Sequence, residues 1–313
     1  MTAITGDKKV GAGFRHLAVF YESGQDYLDQ VGGFVRRGLA AREPVLVAVP
    51  AARLRMLRQA MDGAADAVTF ADMQDLGRNP GRIIPAIRRF TDAHPGRTRF
   101  VGEPIWAGRT EAETREATRH EALINAAFGG VPTTILCPYD RAGLASQTLE
   151  QACETHPQIA TPGQPRPSQA YSGIDLALAI GGEPQPPAPA DAAVLSYQRE
   201  NLPLVRRFAR DRASAAGLAG HGRDDLVIAV HELAANTIAH ADGHGTLRIW
   251  TEQERLVCEV TDTGHISDPL AGRLSSQPQE GGHGLRLVHQ VCDLVEVRSG
   301  SFGTNIRVYR DLA

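Results

Sequence analysis

Over its first half the chain alternates short apolar runs with amphipathic stretches, and this rhythm decides what that half can become. The runs fall at 16–21, 44–49, 68–71, 98–103 and 133–137. Several are continuously apolar, as strands buried on both faces are. Between them, 27–41 and 112–128 repeat their apolar residues at helical spacing, with turn signals at Asn79-Pro80-Gly81 and His94-Pro95-Gly96. Strand and helix in alternation predict an α/β domain, a mostly parallel sheet between helices.

Past 157 the pattern breaks. Pro157, Pro162, Pro165, Pro167, Pro184, Pro186, Pro187 and Pro189 stand among Gly, Ser and Gln, which reads as an extended linker, with 174–180 alone suggesting a helix or strand. Helices are then expected at about 201–217 and 223–240, strands at 246–251 and 255–262 joined by a tight turn at 252–254, a helix at 285–292, and strands at 294–299 and 304–310. Helices beside an antiparallel sheet predict an α+β two-layer sandwich. The division expected is 14–157 for the first domain, 158–196 for a Pro-rich linker and 197–313 for the second domain.

Charge excludes several functions. Acidic and basic residues number 36 and 33, for a net charge of -3, so no general attraction to nucleic acid or to a membrane is implied. The 33 cations are 31 Arg with only Lys8 and Lys9. No later position can supply the lysine of a P-loop or of a Schiff base. Cys137, Cys153, Cys258 and Cys292 lack C-x-x-C spacing and sit in apolar runs, which predicts buried reduced thiols and neither a zinc site nor a disulfide framework. Residues 1–10 hold no apolar core like a signal peptide's, and no run of about 18 apolar residues occurs, so a soluble cytoplasmic protein without membrane contact is expected.

Three motifs in the second half carry chemistry. In His231-Glu232-Leu-Ala-Ala-Asn236-Thr-Ile-Ala-His240, a helix stacks Glu232, Asn236 and His240 in one polar stripe, with Leu226, Val230, Leu233 and Thr237 on the packing face. An exposed polar face would look the same. A zinc protease is excluded, because HExxH needs a second His at 235, which is Ala. Asp262-Thr263-Gly264 ends a strand in which Asp262 shares the apolar face of Leu256, Cys258 and Val260, so the carboxylate needs a partner. The alternative is an Asp capping its own turn. Gly281-Gly282-His283-Gly284-Leu285 opens a helix whose free N–H groups suit phosphate. It is no Rossmann fingerprint, lacking a third glycine and a directly preceding strand.

In this order, ExxxN on a helix, DxG after a strand and GxG at a later helix start, the second half resembles the ATPase fold shared by histidine kinases, Hsp90-type chaperones and anti-sigma factor kinases (the GHKL group), most of all the anti-sigma serine/threonine kinases of the RsbW and sporulation type. His240, the segment from Asp293 to Arg298, and Gly303-Thr304 belong to the same resemblance. It implies bound ATP and Mg2+. Glu232 would be the general base, Asn236 the magnesium ligand, Asp262 the acceptor for the adenine amino group and Gly264 the glycine packed beside the base. Gly282 and Gly284 would be the phosphate-loop glycines, flanked by His283 and Leu285, with 265–280 as a lid. Two departures stand out: Thr237 replaces the usual Ala, and Gln279 and Glu280 occupy positions where kinase members carry an Arg. Nucleotide binding is therefore better supported than phosphotransfer. A histidine kinase would need a phosphoaccepting His on a helical hairpin ahead of this domain, where the chain has a proline-rich stretch and His221 stands too close to Glu232.

The first half resembles the MEDS sensory domain, a relative of RecA-like and circadian-clock ATPases thought to sense small organic ligands. Phe14-Arg-His16, Gly38-Leu-Ala-Ala, Gly102-Glu103-Pro104-Ile-Trp106, His120-Glu121, Cys137-Pro138-Tyr139-Asp140 and Thr155-His156-Pro157 carry this resemblance. His16, Glu103, Cys137 and Tyr139 are candidates for a sensory pocket, buried structural roles for His16 and Cys137 being the alternative. Glu121-Ala-Leu-Ile-Asn125 also fits ExxxN, but no DxG follows it, so these two residues are expected to be structural or ligand-facing rather than a second magnesium site. The combined expectation is a cytoplasmic regulator that couples a sensory domain to partner switching with a sigma factor or a STAS-domain antagonist, acting as a serine/threonine kinase. A nucleotide-dependent binding module or a histidine kinase relative are the alternatives. The sequence leaves the sensed small ligand and the formation of a homodimer open.

Overall fold

The computed structural model describes residues 13–274 and 283–312. The chain divides into two compact units. Of the described residues, the first comprises 13–76, 86–109 and 120–176, and the second 77–85, 110–119, 177–274 and 283–312.

The alternating first half folds as its rhythm predicts. Strands β1 (Arg15–Tyr21), β2 (Val45–Val49), β3 (Val68–Asp72), β4 (Thr98–Gly102), β5 (Thr133–Asp140), β6 (Gln158–Ile159) and β7 (Arg166–Pro167) lie in one sheet in the order β3-β2-β4-β5-β1-β6-β7. Every pairing is parallel except β6 with β7. The crossovers are helical: α1 (Gly24–Tyr27, a π turn Leu28–Gly32, then Gly33–Ala40), α2 (Ala51–Met61), α3 (Ile83–Ala93), α4 (Glu111–Ala127) and α5 (Ser146–Thr155). β2 is buried along its whole length, as a strand covered on both faces must be. β5 runs three residues past the expected end, through Pro138 to Asp140. Its pairing with β4 stops at Leu136, so Pro138, which lacks an N–H, lies beyond the doubly paired stretch.

The second sheet is antiparallel throughout, in the order β11-β12-β10-β9-β8: β8 (Ala193–Gln198), β9 (His244–Glu252), β10 (Arg255–Asp262), β11 (Leu294–Gly300) and β12 (Gly303–Asp311). Gln253 and Glu254, both at positive φ (46° and 60°), make the two-residue β9–β10 turn. α6 (Asp175–Gly182) precedes β8. Helices α7 (Leu202–Ala215), α8 (Gly220–His240) and α9 (His283–Val291) complete the layer whose apolar residues share one core with the sheet, Val205, Val230 and Leu233 meeting Leu247, Cys258 and Val308. Cys137, Cys258 and Cys292 are buried free thiols, whereas Cys153 is only half-buried. Among the described residues no helix is long and apolar enough to cross a membrane.

Candidate functional site

Helix α8 sorts its residues as the periodicity requires. Leu226, Val230, Leu233 and Thr237 are buried, Glu232 and Asn236 are half-buried on the adjoining face, and His240 at the last turn is exposed. Gly284, in the first turn of α9, lies directly against that stripe. A Cβ there would stand 2.8 Å from Glu232 Oε2 and 3.4 Å from Asn236 Nδ2. Glycine leaves the carboxylate where it is, whereas a side chain on the passing backbone of α9 would push it aside. An open cleft of about 380 Å3 lies beside the contact, lined by Glu232, Gly284, Arg286, Leu287 and Gln290.

Farther along the same helix, Thr237 joins the first motif to the second. Its hydroxyl donates to Asp262 Oδ2 at 2.7 Å and accepts from Tyr197 at 3.0 Å. A hydrogen-bond chain thus runs from β8 through α8 to the end of β10. Burial, the largest cause, pushes the Tyr197 phenol up to about 12. Asp262 Oδ1 accepts from the N–H of Gly264 at 2.8 Å, closing the turn after the strand. A Cβ on Gly264 would lie 3.0 Å from that carboxylate and 3.1 Å from Ala241. Gly303, at φ 96°, passes so near the Asp262 carbonyl that a side chain would run into it. Thr304, paired with Asp262 across β10–β12, donates to Gly264 O at 2.9 Å and meets Ser299 Oγ at 3.1 Å. Ser299 accepts from the N–H of Ile266 at 2.9 Å, which fixes the start of the loop beyond.

Glu232, Asn236 and Gly284 therefore come together, while Asp262, Gly264 and Thr304 meet one another beside the end of the same helix. Asp262 differs from its expected setting. Leu256, Cys258 and Val260 are buried, but Asp262 itself is half-buried, at the rim of the sheet, and both carboxylate oxygens already have protein donors. Leu285 is buried in the core. Gly282, Gln279 and Glu280 lie outside the described residues, as do residues 275–280 of the expected lid; His283 begins α9, and its side chain is likewise outside them. Sequence reasoning missed Tyr197 and Arg286, and treated Thr237 only as a departure. The signal for Thr237 was a hydroxyl on the packing face, a position that requires a polar partner.

In the first unit the four sensory candidates separate into two groups. Glu103, just past β4, accepts from Tyr21 at 2.8 Å and from Tyr27 at 3.5 Å, and Arg53 donates to Tyr21 at 3.2 Å. These groups gather at the carboxyl ends of β1 and β4, where open α/β sheets bind ligands. Burial pushes the Glu103 carboxyl up to about 7 against the pull of Tyr21 and Arg53. His16 and Cys137 meet elsewhere, at 3.4 Å, together with Glu121, and the Tyr139 ring stands edge-on to His156 with centroids 5.6 Å apart. Asn125 also bonds His16, at 3.1 Å, so the second ExxxN pair faces this cluster.

Residues 15–157 match the family described as MEDS, the methanogen/methylotroph, DcmR sensory domain, and residues 195–310 match the histidine kinase-like ATPase domain family. No curated protein matches the chain. Among solved structures, the RsbU and RsbW domains of Rv1364c from Mycobacterium tuberculosis align at 16% identity with a TM-score of 0.29, over 66% of this chain and 49% of that one. This chain thus spans about half the length of that relative. The histidine kinase domain of the blue-light activated histidine kinase EL346 from Erythrobacter litoralis aligns at 15% identity with a TM-score of 0.26, over 64% of this chain and 92% of that one. On its family matches, the chain carries a MEDS-type sensory region at 15–157 followed by a histidine kinase-like ATPase region at 195–310.

Proposed function

We propose that the protein binds ATP with Mg2+ in its second half and acts as a regulatory protein kinase of the anti-sigma type, with the first half sensing a small ligand. The observation that carries this reading is the cradle at Gly284, where a glycine backbone at a helix start lies against a carboxylate and an amide from the ExxxN helix. A helix N-terminus supplies free N–H groups for phosphate. Glu232 and Asn236 are oxygen donors of the type Mg2+ takes, commonly one or two protein groups with substrate phosphates and water. Bound magnesium would neutralise phosphate charge. Asn236 would hold the ion, and Glu232 would take the proton of a Ser or Thr hydroxyl on a partner protein. Asp262, held by Thr237 and the N–H of Gly264, would in this reading also accept from the adenine amino group.

The fold without lysine limits how phosphate is gripped. Main-chain N–H groups and the metal carry that role, with Arg286 as the guanidinium that lines the cleft. The partner in this reading is a sigma factor or its STAS-domain antagonist, as the resemblance of the second half to anti-sigma kinases implies.

Calorimetry of ATP–Mg2+ binding to the full chain tests the nucleotide assignment. Asp262→Asn is expected to weaken binding at least ~10-fold, a loss of about 1.4 kcal/mol. Unchanged affinity would sink the assignment. Incubation with labelled ATP and a STAS-domain protein then separates the activities: acid-stable label on the partner supports the serine/threonine kinase, acid-labile label a histidine route, and binding without transfer a nucleotide-dependent binding module.

A further inference from the structure

We infer that His16, Glu121, Cys137 and His156 form a closed binding site for one divalent transition-metal ion of the zinc class within the first unit. The four side chains come from four elements: His16 from β1, Cys137 from the neighbouring β5, Glu121 from α4 and His156 from the residue after α5. None is more than 1% exposed. Their inward atoms all lie within 4.8 Å of one another. His16 Nε2 is 3.1 Å from Glu121 Oε2 and 3.4 Å from Cys137 Sγ, that thiol is 3.3 Å from the same carboxylate oxygen, and His156 Nε2 is also 3.3 Å from it. Metal–ligand bonds of about 2.0–2.3 Å in tetrahedral geometry require edges of about 3.3–3.8 Å between ligand atoms. Four of the edges are already close to that length.

The surroundings fix which nitrogen of each ring faces inward. The Asn125 amide nitrogen donates to Thr155 O at 2.8 Å and lies 3.3 Å from Ala122 O, so its oxygen must face His16 Nδ1 and accept from it. His156 Nδ1 donates to Ala152 O at 2.8 Å. Both Nδ1 atoms therefore carry hydrogen, and both Nε2 atoms turn toward the carboxylate. Ring tautomers anchored by a carbonyl oxygen on the far side are what metal-ligating histidines show.

Protons alone satisfy this cluster poorly. If both rings are neutral, two nitrogen lone pairs face a carboxylate, and the cluster holds a single thiol hydrogen. If one is charged, it pairs with the carboxylate while the other ring still turns a nitrogen lone pair toward the same oxygen; if both are, two imidazoliums with centroids 4.0 Å apart are buried around one carboxylate, leaving net positive charge in a dry interior. Among the described residues, His156 Nε2 has no hydrogen-bond partner. A dication with two neutral imidazoles, one thiolate and one carboxylate gives zero net charge and a partner for every inward atom. The donor set selects the metal: sulfur and imidazole suit zinc and its neighbours, whereas Ca2+ and Mg2+ take mostly oxygen ligands. Four protein ligands leave no open position, so the site holds metal rather than activating water. Sequence spacing hid it, because a rule built on Cys pairs cannot see one Cys, two His and one Glu separated by as many as 140 positions.

The test uses the full chain, stripped with a chelator and titrated with Co2+. Uptake of one equivalent, with the intense visible bands of tetrahedral cobalt and a thiolate-to-cobalt charge-transfer band, is expected. Cys137→Ser should abolish the charge-transfer band, and Cys153→Ser should leave it intact. Asn125→Ala, which removes no ligand but frees the His16 ring, should weaken metal affinity about 10-fold or more while far-ultraviolet circular dichroism stays unchanged. Weak octahedral bands in the wild-type chain, failure to take up one equivalent, or a charge-transfer band that survives Cys137→Ser would each overturn the site. The wild-type spectrum decides even if the Cys137 variant does not fold. ATP binding is not a readout here, so the proposal stands or falls separately from the nucleotide assignment.

Discussion

Thr237→Val tests whether the hydrogen-bond chain from Tyr197 to Asp262 ties the first motif to the second. Valine keeps the branched shape and removes only the hydroxyl. Its bonds with Asp262 and Tyr197 go with it, along with a longer contact to Leu233 O at 3.3 Å. The bond to Asp262, at 2.7 Å, is charge-assisted but lies at a half-buried rim, so it belongs at the lower end of such bonds, about 1.5 kcal/mol. Tyr197, 2% exposed, then keeps a buried O–H without its acceptor, which costs a further ~1–2 kcal/mol. The single variant should therefore lose about 3 kcal/mol. Tyr197→Phe alone should lose about 1 kcal/mol, since Thr237 retains Asp262. In the double variant no O–H is orphaned, and the loss should be only about 2 kcal/mol, a coupling of roughly 1.5–2 kcal/mol. Trp106 lies in the first unit and Trp250 in the second, so a Trp106→Phe background makes urea unfolding followed by fluorescence a report on the second unit. Losses that add to within about 0.4 kcal/mol, or a Thr237→Val variant within about 0.5 kcal/mol of its parent, would refute the chain as a coupled unit.

The raised Glu103 carboxyl makes the first unit sensitive to pH. Its folded-state value of about 7, against 4.5 for the free group, means the folded form holds the proton more tightly. The resulting stabilisation, of order 3 kcal/mol, is complete below about pH 4.5 and is lost as pH rises through 7. Urea unfolding followed by Trp106 in a Trp250→Phe background should show that decline, and Glu103→Gln should flatten it; a slope that persists in the Gln variant places the titration elsewhere. Gly284→Ala puts a Cβ 2.8 Å from Glu232 Oε2, and because that carboxylate can swing away, folding should change by less than about 1 kcal/mol while ATP–Mg2+ affinity falls at least ~10-fold. Calorimetry showing parental affinity in that variant would remove the cradle from the binding site.

Much of the architecture was legible because it follows from burial pattern. Continuous apolar runs became doubly covered parallel strands, and the 3.6-residue rhythm expected at about 223–240 became α8, which starts three residues earlier, with its apolar and polar faces as read. The stripe of Glu232 and Asn236 could be read for the same reason: one helix sets their spacing. Partners brought together by tertiary contact could not. Nothing local pairs Gly284 with Glu232, or Thr237 with Tyr197, 40 positions away. His16 and Cys137 were visible as candidates near strand ends, but Glu121 and His156 join them only because β1 inserts beside β5 and α4 and α5 end nearby. Asp262 was read as deeper than it is, since strand alternation gives the face a residue points to and not how far the sheet continues.

The position of β1 has a consequence for how the protein is made. Of the described strands it is synthesised before all the others, yet its neighbours in the sheet are β5 and β6, whose residues run from 133 to 159. Until those have left the ribosome, Leu17, Ala18 and Val19 have no strand beside them on either edge, and the adjacent β2, β3 and β4 cannot supply one. Closure of the sheet waits on contacts more than 100 positions apart, a topology that folds slowly and exposes strand edges in the meantime. The nascent first unit should depend on holding chaperones until about residue 160 has emerged, and a chain truncated before β5 should aggregate rather than fold.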